Sequence, residues 1–322
     1  MGGVNNKKLT LVTEIECKIC KKKFNGDEKR LFIKDSLMRF DQKFSIIECK
    51  KCSSFVLNPR PISDDLYKLY DNNFLYKENI QGNFILNLLA KSIQKINLFS
   101  ELSWIKKNIS RGDHWLDISA GNGQIIKEIM LLNNKKNLNL KFFATEFTND
   151  LINFLRKEIP KCEVKNSIKD FKNQKFSFIS SFGVIDHVEN PDLFIKEISY
   201  LLDKKGKLMI TMVNVESWQR KFFANNWFSW IAPRHLYFMP MRVIEILLNK
   251  NGLRVIDKKY YFHRTSSSSL VLSLFPKLNP LTNKNQLALI LYGLLFYLFI
   301  PIELLAAICN KGAFMGLVAE KI

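Results

Sequence analysis

Residues 115–123 read Trp-Leu-Asp-Ile-Ser-Ala-Gly-Asn-Gly and predict the unit around which the main sheet is built. An apolar run reaches Asp117, a turn containing Gly121 and Gly123 follows, and an amphipathic segment covers Gln124–Leu132. This order predicts a strand, a tight glycine turn and a helix. Glycine lets a ligand approach the backbone closely, and the amides at the start of the helix point toward that ligand. Because glycine pairs also occur in ordinary turns, the surrounding sequence has to establish that this turn holds a ligand.

Composition and charge indicate a folded globular protein with a preference for anionic partners. The chain has 322 residues and a net charge of +19, with 47% hydrophobic residues. Its lysines are scattered, so the charge favours anionic surfaces in general and does not identify a nucleic-acid site. Phospholipid surfaces, nucleotide-linked substrates and RNA stay open as partners. The N-terminal sequence lacks the apolar run of a secretory signal, which predicts a cytoplasmic protein.

The N-terminal region contains two C-x-x-C pairs. Their members are Cys17, Cys20, Cys49 and Cys52. Each pair offers two thiolates to one ion, and two pairs complete a tetrahedral zinc site with no open position. We therefore predict a structural zinc in a ribbon-like domain over residues 1–62, with strands at Arg30–Phe40 and Lys43–Glu48. Cysteines that bind no metal, or a redox pair, are the alternatives.

The rest of the chain predicts an α/β fold with a doubly wound, mostly parallel, seven-stranded Rossmann-like sheet, because strands alternate with helices. Residues 63–110 form a helical linker or cover, with a helix starting near Ser63 and helical periodicity over Phe84–Ile109. The main sheet domain covers residues 111–272, and its last strand lies in residues 311–322. The predicted strands are His114–Ile118, Lys141–Thr145, Lys161–Lys165, Phe176–Phe182, Lys207–Val213, Leu253–Phe262 and Ala313–Lys321. The predicted helices that follow the first one are Asp150–Lys157, Asp192–Leu202 and Met241–Lys250.

An apolar helical insert, residues 273–310, precedes the last strand. Within it, residues 287–309 are nearly continuously apolar, and their length would permit a membrane span. A single crossing would separate the last two predicted strands, which should pair in one sheet. A buried helical pair, a helix lying on a bilayer and a shallow hairpin bent near Pro301 remain. We favour peripheral contact with the inner membrane surface through residues 287–309.

Three segments together resemble the class I S-adenosylmethionine-dependent methyltransferases. They are the turn at residues 117–123, Glu146 at the end of the second sheet strand, and residues 182–191, Phe-Gly-Val-Ile-Asp-His-Val-Glu-Asn-Pro. Within that class the chain is similar to the group with an N-terminal Cys-knuckle domain. That group has an Asn-Pro-Arg-Pro-like segment, here residues 58–61, and a Pro-Arg-His-Leu segment, here residues 233–236. The resemblance covers residues 17–322.

The resemblance implies that S-adenosylmethionine binds at the carboxyl edge of the sheet. The cofactor-binding residues it implies are Asp117, Ser119, Gly121, Gly123, Glu146 and Asp170. An acid at the tip of the second strand can accept hydrogen bonds from both ribose hydroxyls, and Asp170 would bind the adenine amino group. Ser119 replaces the usual first glycine of the turn, which requires an ordinary backbone angle there. Gly183 stands where related O-methyltransferases place a metal-binding carboxylate, so we predict no catalytic metal.

Transfer to a hydroxyl requires a base, and His187 and His235 are the candidates because histidine titrates near neutral pH. The aromatic residues over 218–237 form either an acceptor wall or a cover over the sheet. The domain order favours a small-molecule, glycan or lipid-linked acceptor. A zinc ribbon on a basic chain would also fit an RNA acceptor, but the absence of an Asn/Asp-Pro-Pro-aromatic motif after the fourth strand argues against a nucleic-acid acceptor. An RNA methyltransferase and a non-catalytic module with a cofactor fold stay open as alternatives.

Overall fold

The N-terminal region consists of short antiparallel strands. The structure, a computed structural model, describes residues 9–33, 42–70, 99–283 and 285–322. The first strands are β1 (Leu11–Val12), β2 (Arg30–Ile33), β3 (Phe44–Glu48), β4 (Phe55–Leu57) and β5 (Arg60–Pro61). β1 pairs with β5, and β3 pairs with both β2 and β4. The later part of the predicted strand Arg30–Phe40 lies outside the described residues. A short helix, α1 (Ser63–Leu66), and a 3₁₀ turn, Tyr67–Tyr70, follow.

The larger sheet confirms the predicted seven-stranded, mostly parallel fold. Its first five strands are β6 (His114–Ile118), β7 (Lys141–Thr145), β8 (Cys162–Lys165), β9 (Phe176–Phe182) and β10 (Leu202–Val213). After the short strand β11 (Tyr237–Phe238), the chain adds β12 (Leu253–Tyr261) and β13 (Phe314–Lys321). The spatial order is β12-β13-β10-β9-β6-β7-β8. Only β13 runs antiparallel to its neighbours, β10 and β12.

Helices cover both faces of this sheet, as a doubly wound fold requires. Residues 99–108, α2 (Gln124–Lys136) and α3 (Asn149–Glu158) bury their apolar sides in a core on one face. After α4 (Pro191–Leu201) come α5 (Trp218–Phe223) and α6 (Met241–Lys250), and α4 and α6 pack on the other face. Of the predicted helix Phe84–Ile109, residues 84–98 lie outside the described residues.

The ribbon and the larger sheet share one hydrophobic core. β11 pairs with β4, so the smaller sheet has the order β11-β4-β3-β2 and takes one strand from a distant part of the chain. Phe44 and Ile47 of the ribbon belong to the same buried cluster as Trp230 and Met212. The ribbon therefore does not pack as an isolated unit.

The apolar segment forms one continuous helix. α7 (Arg264–Leu274) is followed by α8 (Gln286–Ile308), which runs through Pro301 without a break. Two of the three alternatives are therefore wrong: the helix has no hairpin bend near Pro301, and it is not part of a buried helical pair because α8 leaves most of its leucines exposed. Among the described residues, α8 is the one helix long and apolar enough to cross a membrane.

Candidate cofactor and metal sites

A cavity of about 470 Å³ opens at the carboxyl ends of β6, β7 and β9. β6 lies between β7 and β9, so this is the point of an open sheet where the strand order reverses and where such sheets bind ligands. Four of the predicted residues line the cavity: Ser119, Gly121, Glu146 and His187. Further lining residues were not predicted, among them Ser63, Tyr70, Phe147 and Val184. The first three carry no motif of their own, and Val184 lies within the 182–191 segment without a predicted role.

Glu146 is the acidic group of the cavity. Its side chain is 4% exposed, and its carboxylate accepts hydrogen bonds from the backbone amides of Gly121 at 2.7 Å and Phe147 at 3.1 Å. Burial raises the pKa of Glu146, and the two amides oppose that shift. A carboxylate has about four acceptor positions. Two are used here, so Glu146 can accept two further hydrogen bonds from a ligand.

The turn after β6 contains three residues in left-handed conformations, and they differ in what surrounds them. Ser119 has φ +56°, which corrects the expectation of an ordinary backbone angle. Gly121 has φ +59°, and apart from Gly121 and its two chain neighbours no described atom lies within 4 Å of the position its Cβ would occupy. At Gly123, with φ +70°, a Cβ would lie 2.7 Å from Leu155 Cδ2. Gly121 therefore leaves open space at the cavity, whereas Gly123 lets α3 pack against the start of α2.

Asp117 and Asp170, like Gly123, lie outside the cavity lining. Asp117 is 3% exposed and accepts a hydrogen bond from Ser180 Oγ at 2.5 Å, which joins the ends of β6 and β9. Burial raises the pKa of Asp117 to about 7. Asp170 is exposed and accepts from the backbone amide of Ser167 at 3.0 Å within a capping box.

His187 reaches the cavity with a defined tautomer. Its Nδ1 lies 3.0 Å from the Arg234 carbonyl oxygen and 2.9 Å from Tyr70 Oη. A carbonyl can only accept, so we assign the proton to Nδ1, which leaves a lone pair on Nε2. Burial lowers the pKa of His187 to about 4, which corrects the expected titration near neutral pH, and the ring is neutral at neutral pH.

His235 packs edge to face against His187 and does not line the cavity. The ring centroids are 4.6 Å apart, and His235 Nδ1 lies 2.9 Å from the Ser229 carbonyl oxygen. Burial holds the pKa of His235 well below its ordinary value. The structure thus brings the two predicted histidines together, but only His187 can touch a ligand in the cavity.

Three of the aromatic residues over 218–237 are buried in the core and do not form an acceptor wall. Trp227, Trp230 and Tyr237 are each at most 1% exposed. Trp227 Nε1 donates to Gln219 Oε1, and Trp230 Nε1 donates to the Ala224 carbonyl. For these three residues the prediction of an acceptor wall is wrong, because their rings are buried in the shared core.

Arg234 holds in place Tyr70, which forms part of the cavity wall. The arginine is 7% exposed, donates to the Leu69 carbonyl at 2.6 Å and places its guanidinium 4.9 Å from the centre of the Tyr70 ring. Its own carbonyl holds His187. The Pro-Arg-His-Leu segment therefore supports the cavity wall without lining the cavity, through one buried arginine and one buried histidine.

The four paired cysteines meet at one point. Their Sγ atoms all lie within 4.8 Å of one another, with Cys17 to Cys52 at 3.8 Å and Cys20 to Cys49 at 3.5 Å. Four thiolates at about 2.3 Å from a tetrahedral zinc are about 3.8 Å apart. The donor set and its spacing fit a structural zinc.

One comparison with known proteins identifies a family. The family model described as "Methyltransferase domain" matches residues 87–258, just over half of the chain. No curated protein matches the chain significantly.

Similar solved structures share low identity with the chain. One is a SAM-dependent methyltransferase from Archaeoglobus fulgidus, 16% identical with TM-score 0.47, covering 78% of this chain and 100% of that one. A putative methyltransferase from Bacillus halodurans is 16% identical with TM-score 0.47, covering 69% and 99%. A putative sarcosine dimethylglycine methyltransferase from Galdieria sulphuraria is 15% identical with TM-score 0.46, covering 80% and 98%. The family match, which spans more than half of the sequence, places this chain among the class I S-adenosylmethionine-dependent methyltransferases.

Proposed function

We propose that the chain transfers a methyl group to an oxygen atom of a small-molecule, glycan or lipid-linked acceptor, in the cytoplasm and at the inner surface of a membrane. The observation that carries the proposal is the pairing of two groups in one cavity. Glu146 has two acceptor positions left for a ligand, and His187 has an unprotonated Nε2.

The cofactor-binding set centres on Glu146, which would accept hydrogen bonds from the two ribose hydroxyls of S-adenosylmethionine. Gly121 leaves the room that close approach to the backbone requires. Ser119 lines the same side, while Asp117 and Gly123 shape the turn through Ser180 and Leu155. Asp170 remains a predicted adenine contact, and its Oδ1 would make it because Oδ2 is held by Ser167.

The sulfonium of bound S-adenosylmethionine supplies an activated methyl carbon for in-line displacement by the acceptor oxygen. The chain's own contribution is to align the acceptor and remove its proton. His187 Nε2 would take that proton. Tyr70 and the Arg234 carbonyl hold the ring in the required tautomer, and His235 supports it from behind.

We propose a structural role for zinc at the four cysteines. A site in which all four ligands are thiolates leaves no open position for a substrate. The ion would hold together a region of short strands that has little core of its own.

Titration calorimetry of the purified chain with S-adenosylmethionine tests the proposal. Glu146→Gln should weaken binding about 10- to 100-fold, because hydrogen bonds to an ionised group are lost. Glu128→Gln, which removes an exposed carboxylate on α2, is the matched control and should bind as the wild type does. No binding by the wild type, as expected of a non-catalytic module, would overturn the proposal, and so would equal binding by Glu146→Gln.

Mass spectrometry with methyl-labelled cofactor and a panel of hydroxyl-bearing acceptors tests the proposed methyl transfer to oxygen. His187→Ala should lower turnover about 10²- to 10⁴-fold while cofactor affinity changes little. Label that appears only on nitrogen or on RNA would contradict the proposed oxygen acceptor.

A further inference from the structure

The outward side of α8 is an unbroken apolar stripe. Seven side chains recur at three- or four-residue spacing and are each 45–78% exposed: Leu287, Leu291, Leu294, Leu298, Ile302, Leu305 and Ile308. A surface helix of a soluble protein usually carries polar residues on this side. The stripe runs the length of a 23-residue helix, about 34 Å at 1.5 Å per residue. Exposed apolar surface of this extent marks an interaction site.

The inward side of α8 is anchored by polar contacts, which fixes the side that faces out. Tyr292 Oη lies 2.8 Å from Ser268 Oγ on α7, and Trp218 Nε1 on α5 donates to Glu303 Oε1 at 3.1 Å. Gly293 and Phe296 are buried on the same side. The helix therefore cannot rotate its leucines into the core without breaking these contacts.

The charges around the stripe favour an anionic surface. From residue 264 to residue 312 the sequence has four basic residues and a single acid, Glu303. That acid is 1% exposed and bonded to Trp218, so it is withdrawn from the surface. Lys277 precedes the helix, Lys311 follows it, and both are exposed. Basic residues at the ends of an apolar stripe match a bilayer with anionic lipid headgroups.

The ends of the segment exclude a single membrane crossing, and both ends lie at the same edge of the sheet as the cavity. α7 starts just after Tyr261, and α8 leads into Phe314, which pairs with both Tyr261 and Val213. Both ends thus return to the carboxyl edge of the sheet, where β9 also ends and the cavity opens. The helix must lie along a surface.

We propose that the exposed stripe of α8 docks the enzyme flat on an anionic bilayer, with Lys277 and Lys311 at the lipid headgroups. One consequence of this docking rests on the proposed function: the carboxyl edge of the sheet, which bears the cavity, meets acceptors held in the membrane. Docking itself depends on the leucine stripe and the two lysines alone.

Vesicle co-sedimentation of the full chain tests the docking. The wild type should bind vesicles of phosphatidylcholine with phosphatidylglycerol. The double variant Leu291→Glu/Leu298→Glu should lose about 100-fold or more in partitioning, because two leucine side chains no longer leave water. Leu131→Glu/Ile246→Glu, which alters exposed apolar residues on α2 and α6, is the matched control and should bind as the wild type does. Lys277→Gln/Lys311→Gln should lose about 10- to 30-fold on these vesicles and little on pure phosphatidylcholine.

Several results would overturn the proposal. They are no vesicle binding by the wild type, equal binding by the leucine variant, and an equal loss in the α2/α6 control. A wild-type dimer that becomes monomeric in Leu291→Glu/Leu298→Glu without any vesicle binding would make the stripe a subunit interface. Calorimetry with S-adenosylmethionine on the same variants separates membrane docking from the proposed methyl transfer. Retained cofactor binding with lost vesicle binding is the expected result, while vesicle binding without cofactor binding would defeat only the proposed function.

Discussion

Tyr237 lies directly opposite Val56 in an antiparallel pair that joins the two parts of the molecule. Tyr237 directly follows the Pro-Arg-His-Leu segment, and Val56 lies four residues after the last cysteine of the candidate metal site. The sheet of the ribbon therefore takes a strand from residues adjacent to the segment that supports His187. Loss of order in the ribbon should reach the cavity through this pair.

Cys49→Ser should remove the metal and destabilise the whole enzyme. We expect metal analysis to fall from one zinc per chain to near zero. Scanning calorimetry should show one transition, lowered by about 10 °C or more, because the metal stabilises a core that both parts share. Cys309→Ser alters an exposed cysteine and should keep both the zinc and the transition temperature. A separate low-temperature transition for the ribbon would contradict the shared core.

Ser119→Gly should stabilise the protein, although it removes a side chain. A left-handed conformation costs a non-glycine residue about 1–2 kcal/mol, and glycine avoids this cost. Part of the gain is lost because glycine gives the unfolded chain more conformational entropy. The net gain should be about 0.5–1 kcal/mol in urea unfolding. Ser119→Val should instead lose more than about 1 kcal/mol, since a β-branched residue tolerates this conformation least. A stable valine variant would show that Ser119 is not held left-handed in solution.

Gly121→Ala and Gly123→Ala should separate cofactor binding from packing. Both substitutions place a side chain at positive φ and should cost about 1–2 kcal/mol of stability. Gly121→Ala should also weaken S-adenosylmethionine binding, since its methyl group enters open space at the cavity. Gly123→Ala should mainly lower stability, through the contact with Leu155, and Leu155→Val in the same chain should recover part of the loss. Calorimetry and urea unfolding on the same samples measure both effects, and equal losses of affinity would contradict the distinction.

The stability of the enzyme should fall in acid partly because His187 is buried neutral. Its pKa is about 4 in the folded state and about 6.5 in an unfolded chain, so the unfolded state binds more protons between these values. The contribution of His187 to the free energy of unfolding is fully present above about pH 6.5 and is lost as the pH falls toward 4. Relative to His187→Gln, the wild type should lose about 1–2 kcal/mol between about pH 7.5 and pH 5.

Tyr70→Phe is the control for this pH dependence. It keeps the histidine and removes only the hydroxyl beside Nδ1, so it should retain the wild-type slope of stability against pH. Burial raises the pKa of Tyr70 to about 12, so the tyrosine itself does not titrate in this range. A slope that is the same in His187→Gln as in the wild type would show that His187 is not held neutral.

The sequence by itself determined the order of strands and helices, the glycine turn after β6, the acid at the end of β7 and the four-cysteine cluster. These features are encoded locally, in apolar periodicity, in glycine and in the spacing of like residues. The sequence also located α8, because a long apolar run needs no distant partner to be recognised.

Only the tertiary structure decided which side chains meet. His187 contacts Tyr70 across 117 residues and the Arg234 carbonyl across 47. The burial of Trp227 and Trp230 followed from the ribbon packing over them. The left-handed angle of Ser119 and the outward face of α8 likewise depend on contacts with other elements. Such pairings are set by the packing of the whole chain, and no short-range pattern in the sequence records them.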